Sequence, residues 1–158
     1  MSWRRHTTSA DDTQRAGEEF ALILRPGDVV LLSGILGAGK TTFTQGVARG
    51  LGVNDRVTSP TFTMVRQHEC INERGIATFH HADVYRAGSL GEIDDLALGE
   101  LVEESAVALV EWGDVAAPLF GHDVITVNFA IEEPDGRTLE VDSALGDRST
   151  QIEQWSRA

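Results

Sequence analysis

The chain has 158 residues, of which 41% are hydrophobic and 24% are charged, as is usual for a soluble globular protein. No apolar run approaches the roughly 18 residues that a membrane-spanning helix needs, and no hydrophobic segment follows the charged N-terminus, so we expect a cytoplasmic protein without a membrane partner. The length predicts one domain over residues 1–158, with a core at about 7–145 and a C-terminal helix at about 147–156.

The formal net charge of −12 is concentrated in one segment. Residues 87–136 contain twelve Asp and Glu and neither Lys nor Arg, whereas the rest of the chain is nearly neutral. An acidic surface repels phosphate backbones, which argues against tight binding of RNA or DNA by this chain alone. We expect this segment to be either a solvated acidic face or a docking surface for a basic protein partner.

The first two elements lead into a glycine-rich loop. Ser9 is placed to cap a helix over about residues 10–24, which Pro26 and Gly27 terminate. The next run, residues 28–33, is short, apolar and rich in β-branched residues, which predicts a buried strand.

Residues 34–41, Gly-Ile-Leu-Gly-Ala-Gly-Lys-Thr, match the pattern G-x-x-x-x-G-K-[ST] of the phosphate-binding P-loop. A predicted helix over 42–51 completes the order of strand, glycine loop and helix that this loop requires. Backbone N–H groups of such a loop surround a phosphate, and Gly37 and Gly39 leave room for it. We expect Lys40, the only lysine in the chain, to reach the β- and γ-phosphates and Thr41 to coordinate Mg²⁺.

The remaining segments predict an α/β fold. After the P-loop helix, a polar turn at 57–61 leads into a strand up to residue 66, a turn at 67–75 and a returning strand at 76–82. A helix at 89–98 and a second turn or helix at 99–104 precede the apolar run 106–110, which is typical of a central strand buried on both faces. Two strands, at 123–131 and 137–141, flank a turn at 133–136, and a helix at about 147–155 closes the chain. The order predicts a three-layer P-loop NTPase sandwich with a mixed central sheet.

A P-loop alone does not complete a hydrolytic site. Mg²⁺ also needs a carboxylate at the end of a neighbouring strand, and Glu111 and Asp83 both follow predicted strands. Ser59 and Thr61 lie in a loop placed like a GTPase switch, where a hydroxyl meets the γ-phosphate or the metal. His81 is expected to be a packing residue.

Four motifs together resemble the TsaE family, also called YjeE, over roughly residues 7–140. They are GILGAGKTTF at 34–43, TSPTFT at 58–63, HADVYR at 81–86 and LVEW at 109–112, in this order and at close to the family's spacing. Two departures are Ala82, which thins one packing position, and Ser33-Gly34-Ile35, which lacks the family's usual acid.

The resemblance implies a weak ATPase that binds the TsaB–TsaD complex in bacterial synthesis of tRNA threonylcarbamoyladenosine, abbreviated t6A. In that pathway TsaD transfers the threonylcarbamoyl group to adenosine 37 of tRNAs that read ANN codons, so tRNA is contacted only through the complex. It further implies that ATP and Mg²⁺ are bound by Gly37, Ala38, Gly39, Lys40, Thr41, Thr42, Ser59 and Thr61.

The resemblance also assigns roles at other positions. Lys40, Asp83 and Glu111 are expected to be catalytic, with Thr41, Glu111 and Asp83 as metal ligands. The family's N-terminal motif lies near the adenine and is matched by Ser9, Ala10 and Thr13. The positions that match its switch or partner-contacting residues are Tyr85, Arg86 and Trp112.

Three questions stay open at this level. Either Asp83 or Glu111 orients the attacking water. A small-molecule kinase is an alternative enzyme, although residues 87–136 offer no cation for a lid. A nucleotide-dependent docking module, in which hydrolysis is incidental, is the alternative outside enzymes. No arginine near the motifs is placed to act as an arginine finger, which predicts slow basal turnover and stimulation by the partner.

Overall fold

The structure is a computed structural model that describes residues 1–35, 37–58, 60, 65–84, 91, 105–120 and 123–158. The predicted helix at 89–98, apart from Gly91, and the whole predicted segment at 99–104 lie outside these residues. The same holds for the predicted site residues Ser59, Thr61, Tyr85 and Arg86.

Seven strands of the described residues form one sheet, in the spatial order β1-β7-β6-β2-β5-β4-β3. Their bounds are β1 Ser2–Thr7, β2 Val29–Ser33, β3 Val65–Glu69, β4 Thr78–Asp83, β5 Ala106–Glu111, β6 Ile125–Glu132 and β7 Gly136–Ser143. The central strands β6, β2, β5 and β4 run parallel, whereas β3, β7 and β1 pair antiparallel with their neighbours. The predicted α/β fold with a mixed central sheet is therefore confirmed.

Helices cover both faces of this sheet. The described helices are α1 Ala10–Phe20, α2 Lys40–Gly50, α3 Gly113–Ala116 and α4 Ser149–Ser156, with short 3₁₀ turns at Ala117–Leu119 and Gly146–Arg148. None of these helices is both long and apolar enough to cross a membrane.

The apolar runs of β2 and β5 are continuous because both of their faces are covered. Val30 and Leu32 face the larger core beneath α1, α2 and α4, whereas Val29 and Leu31 face a smaller cluster that includes Ala116 of α3. The larger core contains three packed rings, in which the Phe20 centroid lies 5.4 Å from those of Phe43 and Trp155.

Helix α1 begins where the sequence predicts and ends earlier. The Ser9 hydroxyl accepts a hydrogen bond from the Asp12 amide at 3.1 Å, which is the predicted N-cap. Regular helix stops at Phe20, because Leu22 and Ile23 donate to carbonyls three residues back and form turns instead of a fourth helical turn.

Strand β1 has no counterpart among the sequence predictions. Its inward positions carry Trp3, Arg5 and Thr7, of which two are polar, so the alternation of apolar and polar residues that marks a strand is hidden. Arg5 is buried nevertheless, because its guanidinium pairs with Glu19 at 2.6 Å and donates to the Trp155 carbonyl at 3.1 Å.

Candidate functional site

The P-loop connects the carboxyl end of β2 to the first turn of α2. Gly37 and Gly39 both have positive φ, 81° and 104°, a conformation that side-chain-bearing residues rarely adopt. Ala38, which lies between these two glycines in the loop, is fully buried. The first amides of α2 have no partner within the helix, so they offer N–H groups to an anion.

Lys40 is the first residue of α2, and its side chain is almost fully buried. The ammonium donates to the carbonyls of Gly34 and Ile35, and it lies 3.9 Å from the ring centroid of Trp112. Burial lowers the pKa of Lys40, and the nearby carboxylates Glu111, Asp83 and Asp114 oppose that effect. The loop carbonyls and the indole face thus hold a charged group that is largely shielded from solvent.

The two strand-end carboxylates lie side by side. Asp83 ends β4 and Glu111 ends β5, and the two residues are direct partners in the parallel register of these strands. Glu111 is only 3% exposed, and its Oε1 accepts a hydrogen bond from Thr41 Oγ1 at 2.9 Å. The residues that the sequence singled out on three different elements therefore converge at one edge of the sheet.

His81 is in contact with this group, which the sequence did not predict. Its side chain is fully buried, and Nε2 forms a hydrogen bond with Glu111 Oε2. The expectation that His81 is a packing residue describes only its stacking on Phe79, with 6.2 Å between ring centroids. Because Thr41 and His81 contact one oxygen each, the Glu111 carboxylate is fixed in orientation.

Trp112 follows Glu111 in an unusual backbone conformation. Its φ of 61° is the only positive value at a described residue other than glycine. The next residue, Gly113, begins α3 so close to β2 that a Cβ there would lie 2.5 Å from the Leu31 Cβ. The tight turn between β5 and α3 directs the indole ring back over Lys40.

A cavity of about 580 Å³ joins these groups. Its lining includes residues of the P-loop, the two strand-end carboxylates and the predicted adenine-side residues. The lining residues are Thr8, Ser9, Ala10, Thr13, Gly37, Gly39, Lys40, Thr41, Thr42, Asp83, Glu111, Trp112, Asp135 and Arg137. The volume lies in the usual range for small-molecule sites.

Two lining residues, Asp135 and Arg137, were missed by the sequence analysis. They lie at the turn between β6 and β7, and Arg137 donates to the Gly37 carbonyl at 3.2 Å and to the Gly136 carbonyl at 2.7 Å. An arginine thus lies beside the P-loop, although the sequence suggested none near the motifs. The turn was predicted, but the antiparallel pairing that places it there cannot be recognised from local pattern.

The side-chain oxygens at this site suit a hard cation that is held partly by phosphate and water. Among the described residues, no group of three or more His, Cys, Asp and Glu is arranged to hold a metal ion. Mg²⁺ at nucleotide sites takes only one or two protein oxygens, and the Thr41 hydroxyl beside the Glu111 carboxylate provides oxygens of this kind.

The family model described as "Threonylcarbamoyl adenosine biosynthesis protein TsaE" matches residues 7–139. The chain belongs to the TsaE family. It is 42% identical to the tRNA threonylcarbamoyladenosine biosynthesis protein TsaE of Bacillus subtilis over 158 residues, covering 99% of this chain and 94% of that protein. It is 37% identical to the TsaE protein of Treponema pallidum over 133 residues, covering 84% and 95%.

The fold agrees with this membership. The crystal structure of Bacillus subtilis YdiB superimposes with a TM-score of 0.74 at 28% identity, covering 99% of this chain and 95% of that one. As a TsaE family member, the chain takes part in the biosynthesis of tRNA threonylcarbamoyladenosine, which the sequence motifs predicted.

Proposed function

We propose that this chain is a Mg²⁺-dependent ATPase that acts on the TsaB–TsaD complex and supports repeated rounds of t6A formation at adenosine 37. The observation that carries the proposal is the hydrogen bond of 2.9 Å from Thr41 Oγ1 to Glu111 Oε1, next to Lys40 in one cavity. It joins the hydroxyl that follows a P-loop lysine to a strand-end carboxylate, which is the pairing that Mg²⁺-nucleotide chemistry requires.

Each residue has a role that its surroundings support. Lys40 and the amides of the P-loop bind the phosphates and stabilise the negative charge that develops on them. Thr41 and Glu111 hold the cation, whose positive charge polarises the phosphates when it is bound. Because Glu111 is assigned to the cation, we assign the orientation of the attacking water to Asp83, its register partner on β4, which lines the same cavity.

The partner assignment rests on family membership and on charge. Residues 87–136 carry no cation to bind a phosphate backbone, which favours contact with a protein over direct contact with tRNA. We therefore propose that this chain binds TsaD and TsaB in the cytoplasm and meets tRNA only through them.

Replacing Glu111 by Gln tests the function. The amide keeps an oxygen for the Thr41 hydroxyl, so we expect the affinity for ATP to stay within about threefold of wild type. It also removes the negative charge that holds Mg²⁺. Multiple-turnover t6A formation in a mixture with TsaB, TsaD and tRNA should fall by on the order of 100-fold or more. Glu153→Gln, which changes an exposed carboxylate of α4, is the matched control and should behave as wild type.

This assay and a screen of phosphate acceptors separate the alternative functions. Undiminished turnover with Glu111→Gln would contradict the ATPase function and favour a nucleotide-dependent docking module. Transfer of phosphate from ATP to a nucleoside or coenzyme precursor, in a screen of such acceptors, would instead favour a small-molecule kinase.

A further inference from the structure

Arg137 reaches the P-loop because the β6–β7 hairpin extends past the end of β2. Ser33, the last residue of β2, pairs with Asn128, whereas β6 continues to Glu132. These four additional residues add about 13 Å at roughly 3.3 Å per residue. Arg137 pairs with Ile131 on this extension and so lies beside the loop that follows β2.

The contacts of Arg137 leave most of its hydrogen-bonding capacity for a ligand. Its guanidinium donates to the carbonyls of Gly37 and Gly136, and its stem passes Gly39, where an added Cβ would lie 3.9 Å from Arg137 Cγ. A guanidinium has five N–H donors, and two carbonyl bonds use two of them. Among the described residues that line the cavity, Lys40 and Arg137 are the two cations.

The position of Arg137 within the cavity indicates which part of a nucleotide it meets. Across the sheet, β6 and β2 separate β7 from β5, so the strands of Arg137 and Glu111 are about 14 Å apart at roughly 4.8 Å per spacing. On its other side Arg137 pairs with Thr7 of β1, which leads directly to Ser9 and Thr13. The backbone of Arg137 therefore lies on the side of the predicted adenine residues, separated by two strands from the strand of Glu111, and its guanidinium reaches the P-loop at Gly37.

We propose that Arg137 binds the α- and β-phosphates of the nucleotide and sets the affinity for ATP and ADP alike. A guanidinium matches phosphate oxygens in geometry and charge. We assign the γ-phosphate to the side of Lys40, Asp83 and Glu111, which leaves the α- and β-phosphates for the arginine on the far strand. This inference rests on the proposed function, since it concerns the same nucleotide.

Calorimetric titration of the full chain with ADP, a non-hydrolysable ATP analogue and adenosine tests the proposal. We expect Arg137→Gln to weaken ADP and the ATP analogue equally, by about 10- to 100-fold, because a charge-assisted contact is lost. Adenosine, which carries no phosphate, should bind as it does to wild type. Arg137→Lys should recover part of the affinity, and Arg157→Gln, at an exposed arginine of the C-terminus, should change nothing.

Steady-state hydrolysis adds a second readout, since the loss should appear in KM and not in kcat. A fall in kcat, or a loss for the ATP analogue without one for ADP, would assign Arg137 to the γ-phosphate and overturn the proposal. An equal loss of affinity for adenosine, or a melting temperature of ligand-free Arg137→Gln lowered by more than about 5 °C, would show that Arg137 has a structural role. If wild type binds neither ATP nor ADP, the proposed function itself fails; if wild type binds and Arg137→Gln binds equally well, only this inference fails.

Discussion

Lys40 illustrates how a functional charge is kept inside a folded protein. Its ammonium is buried, and the groups that surround it are two carbonyls of its own loop and the face of Trp112. Such contacts reduce the desolvation cost without removing it, which is why the pKa of Lys40 is lowered. In the proposed function this charge serves phosphate binding, and it does not add to the stability of the fold.

Lys40→Met should therefore abolish nucleotide binding without lowering the melting temperature at pH 7. A lysine pKa that is lower in the folded state than in the unfolded state makes the charged form a cost to folding at neutral pH. That cost disappears as pH rises from the folded pKa towards the unfolded value near 10.4. Any increase in melting temperature that Lys40→Met shows over wild type at pH 7 should therefore be smaller at pH 10. Thermal denaturation at both pH values, with ATP titration, provides the measurement.

Arg49→Met is the control, because it removes an exposed cation from the same helix. It should leave ATP affinity unchanged. A melting temperature of Lys40→Met several degrees below that of wild type at pH 7 would show that the ammonium stabilises the fold.

At the level of residues, the sequence predicted the strand-end acids better than their neighbours. Glu111 was identified because it follows an apolar run and Asp83 because it follows a weaker predicted strand, and parallel strands bring their carboxyl ends together. His81 contacts Glu111 because β4 and β5 pair with Asp83 opposite Glu111, and His81, two residues before Asp83, lies on the same face of the sheet. The sequence of one strand does not show in which register it will pair. Arg137 was missed for the same reason.

Among the secondary-structure elements, the β6–β7 hairpin was predicted with nearly correct bounds but without its outer neighbour. The sequence predicted strands at 123–131 and 137–141, whereas the observed pair runs Ile125–Glu132 and Gly136–Ser143 and recruits β1 as an outer neighbour. Near its tip the Thr138 hydroxyl donates to Glu132, and His6 of β1 lies 3.5 Å from the same carboxylate. These contacts fasten the segment that carries Arg137.

Thr138→Val should raise the pKa of Glu132 towards its ordinary value. The Thr138 hydroxyl is the main cause of the lowered pKa of Glu132, with a smaller effect from His6, because both favour the charged carboxylate. A carboxyl pKa that is lower in the folded state stabilises the fold above the unfolded pKa, and the contribution is lost as pH falls through the folded pKa. Titration of the Glu132 side chain by NMR, between pH 2 and 7, measures the shift.

Thr126→Val, which alters a hydroxyl on β6 that bonds a backbone carbonyl, is the matched control. It should leave the Glu132 titration unchanged. An unaltered titration in Thr138→Val would assign the lowered pKa to His6 instead.

At the scale of the whole molecule, the C-terminal helix completes the larger core although it lies beyond the residues that the family model matches. Trp155 packs against Phe20, donates its indole N–H to the Ala16 carbonyl at 2.9 Å, and lies beneath the guanidinium of Arg5. The final residues thus stabilise the first strand and the first helix.

Trp155→Ala should lower the free energy of unfolding by about 3–5 kcal/mol, since it removes a large buried ring and leaves a cavity. Trp155 does not line the cavity beside the P-loop, so ATP affinity of the folded variant should stay within about threefold of wild type. Urea denaturation and ATP titration at low temperature measure the two quantities. Gln154→Ala, at an exposed neighbour, should cost less than about 0.5 kcal/mol, and a similar small cost for Trp155→Ala would contradict the packing role.

The sequence predicted the class of fold but not the order of strands. Hydrophobic runs and turn residues are local signals, and they identified six of the seven strands within the described residues. Which strands become neighbours is decided by packing across the whole sheet, so the position of β2 between β5 and β6 was not predictable from any one segment.

The placement of β2 has a consequence for synthesis on the ribosome. Both sheet partners of this strand are encoded far downstream, since Val29 pairs with Ala108 and Val30 pairs with Ile125. At about 5–20 residues per second, the first partner is translated roughly 4–16 s after β2. During that interval the apolar residues 29–32 have no neighbouring strand and stay exposed in the nascent chain. The cavity beside the P-loop can assemble only after most of the chain has been made, because Glu111 and Arg137 are among its lining residues.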